Sequence, residues 1–104
     1  MVIYNVTVSI DHSVHDEWLD WMRTEHIPDV LNTGRFTECR MSKILAEEEG
    51  GLAYSIQYTA PSMVDYEKYL SEHATKLKGE HDQKFGGKYA AFRTLLDVVH
   101  HVNG

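Results

Sequence analysis

The chain has 104 residues, of which 42% are hydrophobic and 25% charged, and this composition suits one globular domain spanning residues 1–104. Its net charge of −6 argues against nucleic acid or an anionic membrane as a partner, because both repel an acidic surface. With no apolar run of membrane-spanning length, no basic N-terminal leader and a single cysteine, we expect a cytoplasmic protein without an internal disulfide.

The first predicted elements are a strand and a long helix. Apolar and polar side chains alternate through residues 2–10, which is typical of a strand. The stretch from Asp11 to Phe36 then predicts one amphipathic helix whose apolar arc carries both tryptophans. Ser13 with Asp16 three positions later approximates a capping box, and Gly34 supplies a left-handed stop.

Two features of this helix depart from a regular amphipathic pattern. Glu25 and His26 project into the apolar arc, whereas Ile27 and Leu31 would face solvent if the helix ran straight through Pro28. Proline removes a backbone hydrogen bond, so a kink or a change of phase there would turn Ile27 and Leu31 inward and open space around His26. The alternative is that Glu25 extends to the helix edge and His26 is a partly buried structural histidine.

The rest of the chain predicts three more strands and a second helix. In order, these are a strand at 36–45, a solvated acidic turn at 47–51, a strand at 52–59, a helix from Ser62 to Gly79, an irregular turn at 80–85 and a strand at 89–100.

The resulting order is βαββαβ, which predicts an α+β fold with a four-stranded antiparallel sheet and both helices on one face. On the first and third strands, the side chains of the opposite face are small, mostly polar and uncharged: Ile3, Asn5, Thr7, Ser9, Ala53, Ser55, Gln57 and Thr59. A solvated face usually carries charges and a core face carries large apolar groups. We therefore expect a second subunit to close this face, giving a homodimer.

Two segments carry a resemblance to a known family. They are W-L-D-W-M-R-T-E-H-I-P-D-V-L-N-T-G-R-F, residues 18–36, and F-G-G-K-Y-A-A-F-R-T, residues 85–94. With the βαββαβ order and the short length, they resemble the DUF4286 family of the dimeric α/β-barrel (ferredoxin-like) superfamily. The resemblance implies two subunits packed sheet to sheet, with a cavity in each half of the barrel. It implies little about function, since that superfamily includes cofactor-free monooxygenases, isomerases, haem-degrading enzymes and stress proteins.

Motifs for phosphate, zinc or nucleophilic chemistry are missing from the sequence. The seven histidines are scattered, and adjacent residues such as His100 and His101 would point to opposite faces of a strand. We therefore predict no metal site and no cofactor. Cys39 has no neighbouring base and is interpreted as an inert thiol.

The candidate site combines the uncharged sheet face with the ends of the helices, where unpaired polar groups imply water or a ligand. His26 and His73 are the candidate catalytic residues, because histidine exchanges protons near neutral pH. The candidate ligand contacts are Glu25, Asn5, Gln57 and Arg93. Arg93 is either a carboxylate anchor or the partner in a salt bridge at the sheet edge.

Three functions are compatible with this site. The first is cofactor-free binding or conversion of a small apolar or aromatic molecule, as in monooxygenases and isomerases of this fold. The second is haem binding or degradation. Related barrel enzymes use an asparagine on the first strand, a histidine on the second helix and a tryptophan, and Asn5 and His73 match two of these roles. Trp18 and Trp21 lie on the first helix, so the third role is unfilled. The third is a non-catalytic dimerisation module.

Overall fold

The fold is a four-stranded antiparallel sheet covered on one face by two helical segments, and the computed structural model describes residues 1–46 and 51–104 of it. The strands are β1 (Val2–Asp11), β2 (Glu38–Lys43), β3 (Gly51–Ala60) and β4 (Tyr89–Asp97), in the sheet order β2-β3-β1-β4. The predicted ferredoxin-like βαββαβ architecture is confirmed. Residues 47–50 of the acidic turn predicted at 47–51 lie outside the described residues, and Gly51 begins β3.

The first helical segment is continuous but changes its hydrogen-bonding pattern. A 3-10 turn at His12–Val14 leads into α1 (His15–Trp21), a π-helical turn at Met22–His26 and α2 (Ile27–Leu31). The N–H of Ile27 bonds to the carbonyl of Met22, five residues back, so one extra residue is accommodated in this turn. The predicted change of phase is therefore present, although it occurs in the turn before Pro28.

The ends of the first segment differ in how well the sequence predicted them. The helix cap is Asp11, whose carboxylate accepts the Ser13 N–H at 2.8 Å, so the predicted Ser13 cap is wrong. An aspartate at the strand end can serve as cap because its short side chain reaches back to the following amides. Gly34 has φ +79°, which confirms the left-handed stop.

The second helical segment is longer than predicted. It comprises α3 (Met63–Tyr69), a π-helical turn at Leu70–Ala74 and α4 (Thr75–Phe85), with Ser62 as the predicted cap. The prediction that Gly79 ends this helix is wrong. A glycine within a helix costs about 1 kcal/mol relative to alanine. Burial of Leu77, His81 and Phe85 on the same helix face outweighs that cost.

The core lies between the helical segments and one sheet face. Its most deeply buried side chains come from both layers: Trp18, Val30 and Phe85 from the helices, and Ile10 and Ile56 from the sheet. The predicted core face of β1 and β3 is confirmed, since the alternate residues on these strands are buried under the helices. No helix among the described residues is both long and apolar enough to cross a bilayer.

The opposite sheet face, here called the open face, carries the small uncharged residues of β1 and β3. Pairing with β1 places Phe92 opposite Thr7 and Leu96 opposite Ile3, so β4 adds two large apolar side chains to this face. Phe92 is 64% exposed and Leu96 41%. The open face therefore presents uncovered apolar surface beside polar groups.

Candidate functional site

A cavity of about 40 Å³ lies between the two helical segments and the sheet, on the face opposite the open face. We call it the helix-side cavity. One water needs roughly 10–15 Å³, so it has room for a few waters or for part of a small ligand. Its wall is mainly apolar and aromatic, and it contains two histidines, His26 and His81, and two cationic side chains, Lys78 and Arg93.

The π-helical turn positions His26 in this wall. An extra residue in a helical turn rotates everything after it by about 100°, which changes the face that each later side chain occupies. His26 ends the turn and its ring stacks on Trp21, with centroids 4.9 Å apart. Ile27 and Leu31 also pack against the core after this rotation. The irregular turn thus directs a histidine to the cavity without breaking the helix.

His26 is a neutral histidine with an unused hydrogen-bonding atom. Burial lowers its pKa to about 4, and the nearby Asp29 carboxylate opposes that shift. Its Nδ1 is buried and has no hydrogen-bond partner among the described residues. A buried polar atom without a partner costs free energy, so native proteins rarely leave one unless water or a ligand completes it. When the ring carries its proton on Nε2, this nitrogen can accept a proton.

His81 has a fixed tautomer, set by a neighbouring tryptophan. The indole N–H of Trp18 donates to Nε2 of His81 at 2.9 Å. Because an indole nitrogen only donates, Nε2 is unprotonated and the neutral ring carries its proton on Nδ1. Burial lowers the pKa of His81 to about 4, with further lowering by His26 and Arg93 and an opposing effect of Asp82. His81 is therefore a hydrogen-bond donor through Nδ1.

The two histidines are close to each other and differ in their hydrogen bonding. Their ring centroids are 5.6 Å apart. One has an unpartnered nitrogen, and the other has its lone pair occupied by Trp18. The arrangement offers a proton acceptor and a neutral hydrogen-bond donor in one cavity, the combination used in general base catalysis.

Tyrosines form the flat surfaces of the cavity. Tyr4, Tyr58, Tyr69 and Tyr89 line it, and burial raises the pKa of each hydroxyl. These hydroxyls are uncharged at neutral pH, so the rings act as apolar and aromatic surfaces. Such walls suit a planar, mainly apolar ligand.

Of the predicted site residues, the structure brings His26 and Arg93 together in the helix-side cavity. Glu25 is exposed and lies in a surface groove beside Trp21. His73 is half-buried on the second helical segment, with Nε2 3.8 Å from Glu72.

Asn5 and Gln57 lie on the open face, on the other side of the sheet from His26. Asn5 Oδ1 accepts the Ser55 hydroxyl at 2.6 Å, and Asn5 Nδ2 donates to Thr7 at 3.1 Å. These polar groups therefore pair with one another across and along the strands. The structure does not join them to the histidines in a single site, because the sheet intervenes.

The sequence did not identify His81 or Lys78 as site residues. His81 lies beyond Gly79, where the second helix is predicted to end. The spacing of Leu77, His81 and Phe85, four residues apart, is the signal that would have placed His81 on the buried helix face. Lys78 carried no comparable signal, because lysines are common on exposed helix faces.

The described part of the chain brings together neither a metal cluster nor the haem residue set. Among residues 1–46 and 51–104, no group of three potential metal ligands lies together. Asn5 lies on the open face and His73 on the helical layer, so the two residues matched to haem enzymes are separated by the sheet. Cys39 is half-buried, and burial raises the pKa of its thiol to about 12.

Comparisons with known proteins agree with this architecture. No curated protein matches the chain significantly by sequence. A dimeric ferredoxin-like protein from an uncultured marine organism has a TM-score of 0.76 at 8% identity, covering 97% of both chains. The cofactor-independent oxygenase SnoaB from Streptomyces nogalater has a TM-score of 0.70 at 10% identity, covering 99% of this chain and 98% of its own.

A third solved structure of this fold is the heme-degrader MhuD from Mycobacterium tuberculosis, with a TM-score of 0.69 at 12% identity, covering 99% of this chain and all of its own. At these identities the similarity concerns the fold alone. The sequence model for the domain of unknown function DUF4286 matches residues 1–99. The chain therefore belongs to the DUF4286 family.

Proposed function

We propose that this protein binds a small, mainly apolar or aromatic molecule in the helix-side cavity and removes a proton from it without a cofactor. The observation that carries the proposal is the pair of neutral histidines with different hydrogen-bonding states in one aromatic cavity. Proton abstraction next to a carbonyl group is the first step of isomerisation. It also forms the electron-rich carbanion that cofactor-independent oxygenation requires.

His26 is the proposed base, because its Nδ1 has no partner in the described structure and its ring is neutral. In the proposed step, a substrate C–H bond breaks, the proton moves to His26 and the electron pair remains on the substrate as an enolate. His81 stabilises the enolate oxygen by donating its Nδ1–H. Return of the proton from His26 to the product restores the neutral histidine.

Trp18 is the proposed positioning residue for this chemistry. It occupies Nε2 of His81 with its indole N–H, so that only the Nδ1–H tautomer is present. A histidine free to change tautomer would donate to the enolate only part of the time.

The protein is further proposed to work as a homodimer closed through the open face. Phe92 and Leu96 are exposed on that face, and the hydrogen-bonded residues around Asn5 carry no charge. The similarly folded marine protein is described as dimeric. Packing of two open faces would cover the apolar side chains of both copies.

Deuterium exchange tests the catalytic proposal. With 2-indanone in D₂O, NMR should show α-proton exchange faster in the presence of protein than in buffer. His26→Gln should slow the protein-dependent exchange by roughly 100-fold, the usual contribution of a general base. The matched control is His12→Gln, which changes an exposed histidine outside the cavity and should leave the rate unchanged. Full exchange activity in His26→Gln would contradict the assignment of the base.

A further inference from the structure

Lys78 and Arg93 bring two positive charges to the helix-side cavity from different elements. Lys78 comes from α4 and Arg93 from β4, where it is paired with Val6 of β1. The Nε–H of Arg93 donates to the Tyr4 hydroxyl at 2.9 Å. The two terminal nitrogens of the guanidinium have no hydrogen-bond partner among the described residues and can bind a planar acceptor.

Neither cation is neutralised by a carboxylate in the described structure. Among residues 1–46 and 51–104, no Asp or Glu oxygen lies within 4.0 Å of the charged nitrogens of Lys78 or Arg93, whereas Arg35 and Lys84 do have such partners. Arg93 also lowers the pKa of Lys78, after the larger effect of burial. The two cations therefore repel each other without a local counterion.

The charge of the cavity wall is opposite in sign to the net charge of the whole chain. The protein has 16 acidic and 10 basic residues, yet no Asp or Glu of residues 1–46 and 51–104 lines the cavity. Asp29 and Asp82 act on His26 and His81, but neither belongs to the cavity wall. A cationic pocket in an acidic protein attracts small anions selectively, because the rest of the surface repels them.

We propose that Lys78 and Arg93, together with the Tyr4 hydroxyl, form a carboxylate-binding subsite, and that the natural ligand is a small aromatic or apolar carboxylic acid. This inference rests on the proposed use of the helix-side cavity. A guanidinium matches the flat, two-oxygen geometry of a carboxylate. Tyr4 accepts from Arg93, so it still has its own hydrogen to donate to the ligand.

The subsite gives the ligand an orientation. The carboxylate is held by the cations, and the apolar part of the ligand packs against the tyrosine rings. Because the cations balance the charge of the carboxylate, His26 does not have to pair with it and remains free to receive a proton. Recognition and proton transfer are thereby assigned to different residues of one cavity.

Benzoate and benzamide provide a matched pair of probes, because they have nearly the same shape and differ in charge. Isothermal titration should show benzoate binding at least about tenfold more tightly than benzamide, a difference of the size expected for a charge-assisted pair. Lys78→Met and Arg93→Met should each remove most of that preference while leaving benzamide binding unchanged. Arg93→Lys, which keeps the charge, should retain part of it.

The control variant is Lys76→Met, which removes an exposed lysine of the same helix outside the cavity. It should bind both probes as the unmodified protein does, and melting temperatures should verify that every variant is folded. Equal binding of benzamide and benzoate would overturn the carboxylate subsite and leave the cavity proposal standing. Failure of both probes to bind at millimolar concentration would overturn the cavity proposal as well.

Discussion

Burial keeps both His26 and His81 neutral, and it also makes the free energy of unfolding depend on pH. Burial lowers both pKa values to about 4, from an ordinary value of 6.5. Between these pH values, the unfolded chain binds more protons than the folded one. The contribution of the two neutral histidines to the free energy of unfolding is therefore complete above pH 6.5 and is lost as the pH falls towards 4.

We accordingly predict that the free energy of unfolding decreases between pH 7 and pH 4.5, by an amount on the order of 1–3 kcal/mol for each of the two histidines. Urea unfolding over this pH range measures it. His81→Gln removes one titrating group but keeps an acceptor for the Trp18 N–H, so its pH dependence should be shallower. His12→Gln, at an exposed position, should follow the unmodified protein. Identical slopes for all three proteins would contradict burial of a neutral His81.

At the level of elements, the two glycines Gly34 and Gly79 have opposite structural roles. Gly34 has φ +79°, where a side chain strains the backbone. Gly79 lies inside α4, and an added Cβ would meet nothing within 4 Å. One glycine is required by the backbone, and the other weakens its helix.

We predict that Gly79→Ala stabilises the protein by about 0.5–1 kcal/mol, through helix propensity and a smaller unfolded-state entropy. Gly34→Ala should destabilise it by roughly 1–2 kcal/mol, the cost of a left-handed non-glycine residue. Thermal or chemical unfolding of the two variants provides a matched comparison. A loss of stability in Gly79→Ala would show that α4 does not run unbroken through this position.

Much of the element layout was predictable because it follows from residue patterns. Alternation placed Tyr4 and Ile56 under the helices, and the Gly34 stop follows from glycine's freedom at positive φ. The π-helical turns were not predictable in detail, since the extra residue at Met22–His26 has no distinctive composition. The helix continues through Gly79 because the unfavourable helix propensity of glycine, about 1 kcal/mol, is smaller than the gain from burying His81 and Phe85. That burial is not visible in the local sequence.

The candidate site was predictable only in part. His26 was identified by its position next to Pro28, and Arg93 by its charge at the start of the last strand. The polar open face was assigned to the same cavity because uncharged polar side chains suggest enclosed water. In the structure Asn5 instead pairs with Ser55 and Thr7, and that pairing depends on strand register. Register and side-chain pairing are long-range properties that a single sequence does not reveal.

At the level of the whole molecule, the proposed homodimer depends on the open face. Its apolar residues Phe92 and Leu96 lie on β4, at the sheet edge, beside the uncharged residues of β1. Exposed apolar side chains are covered when two copies of a ferredoxin-like sheet pack face to face. Register with β3 places Glu38 and Arg40 of β2 on this face too, at the opposite edge of the sheet. A charge introduced at Phe92 would be buried without a partner if the face around β4 and β1 packed against a second copy.

We predict that light scattering after size exclusion gives about twice the chain mass of 12.0 kDa. Phe92→Glu should shift the protein towards the mass of one chain. Val64→Glu provides the control, because Val64 is 57% exposed on α3, within the helical layer that covers the other sheet face. A single-chain mass for the unmodified protein at micromolar concentration would contradict the dimer. Equal effects of both substitutions on the mass would contradict the assignment of the dimer interface to the open face.

The proposed function depends on ligand binding in the helix-side cavity, and histidine side-chain NMR tests this binding directly. During titration with benzoate, the ring resonances of His26 and His81 should shift together, since both line the cavity. His12 and His101 are exposed outside the cavity and should not respond. Saturable shifts confined to His26 and His81 are the predicted result. Binding that moves the resonances of the exposed histidines and leaves those of His26 and His81 unchanged would contradict the account.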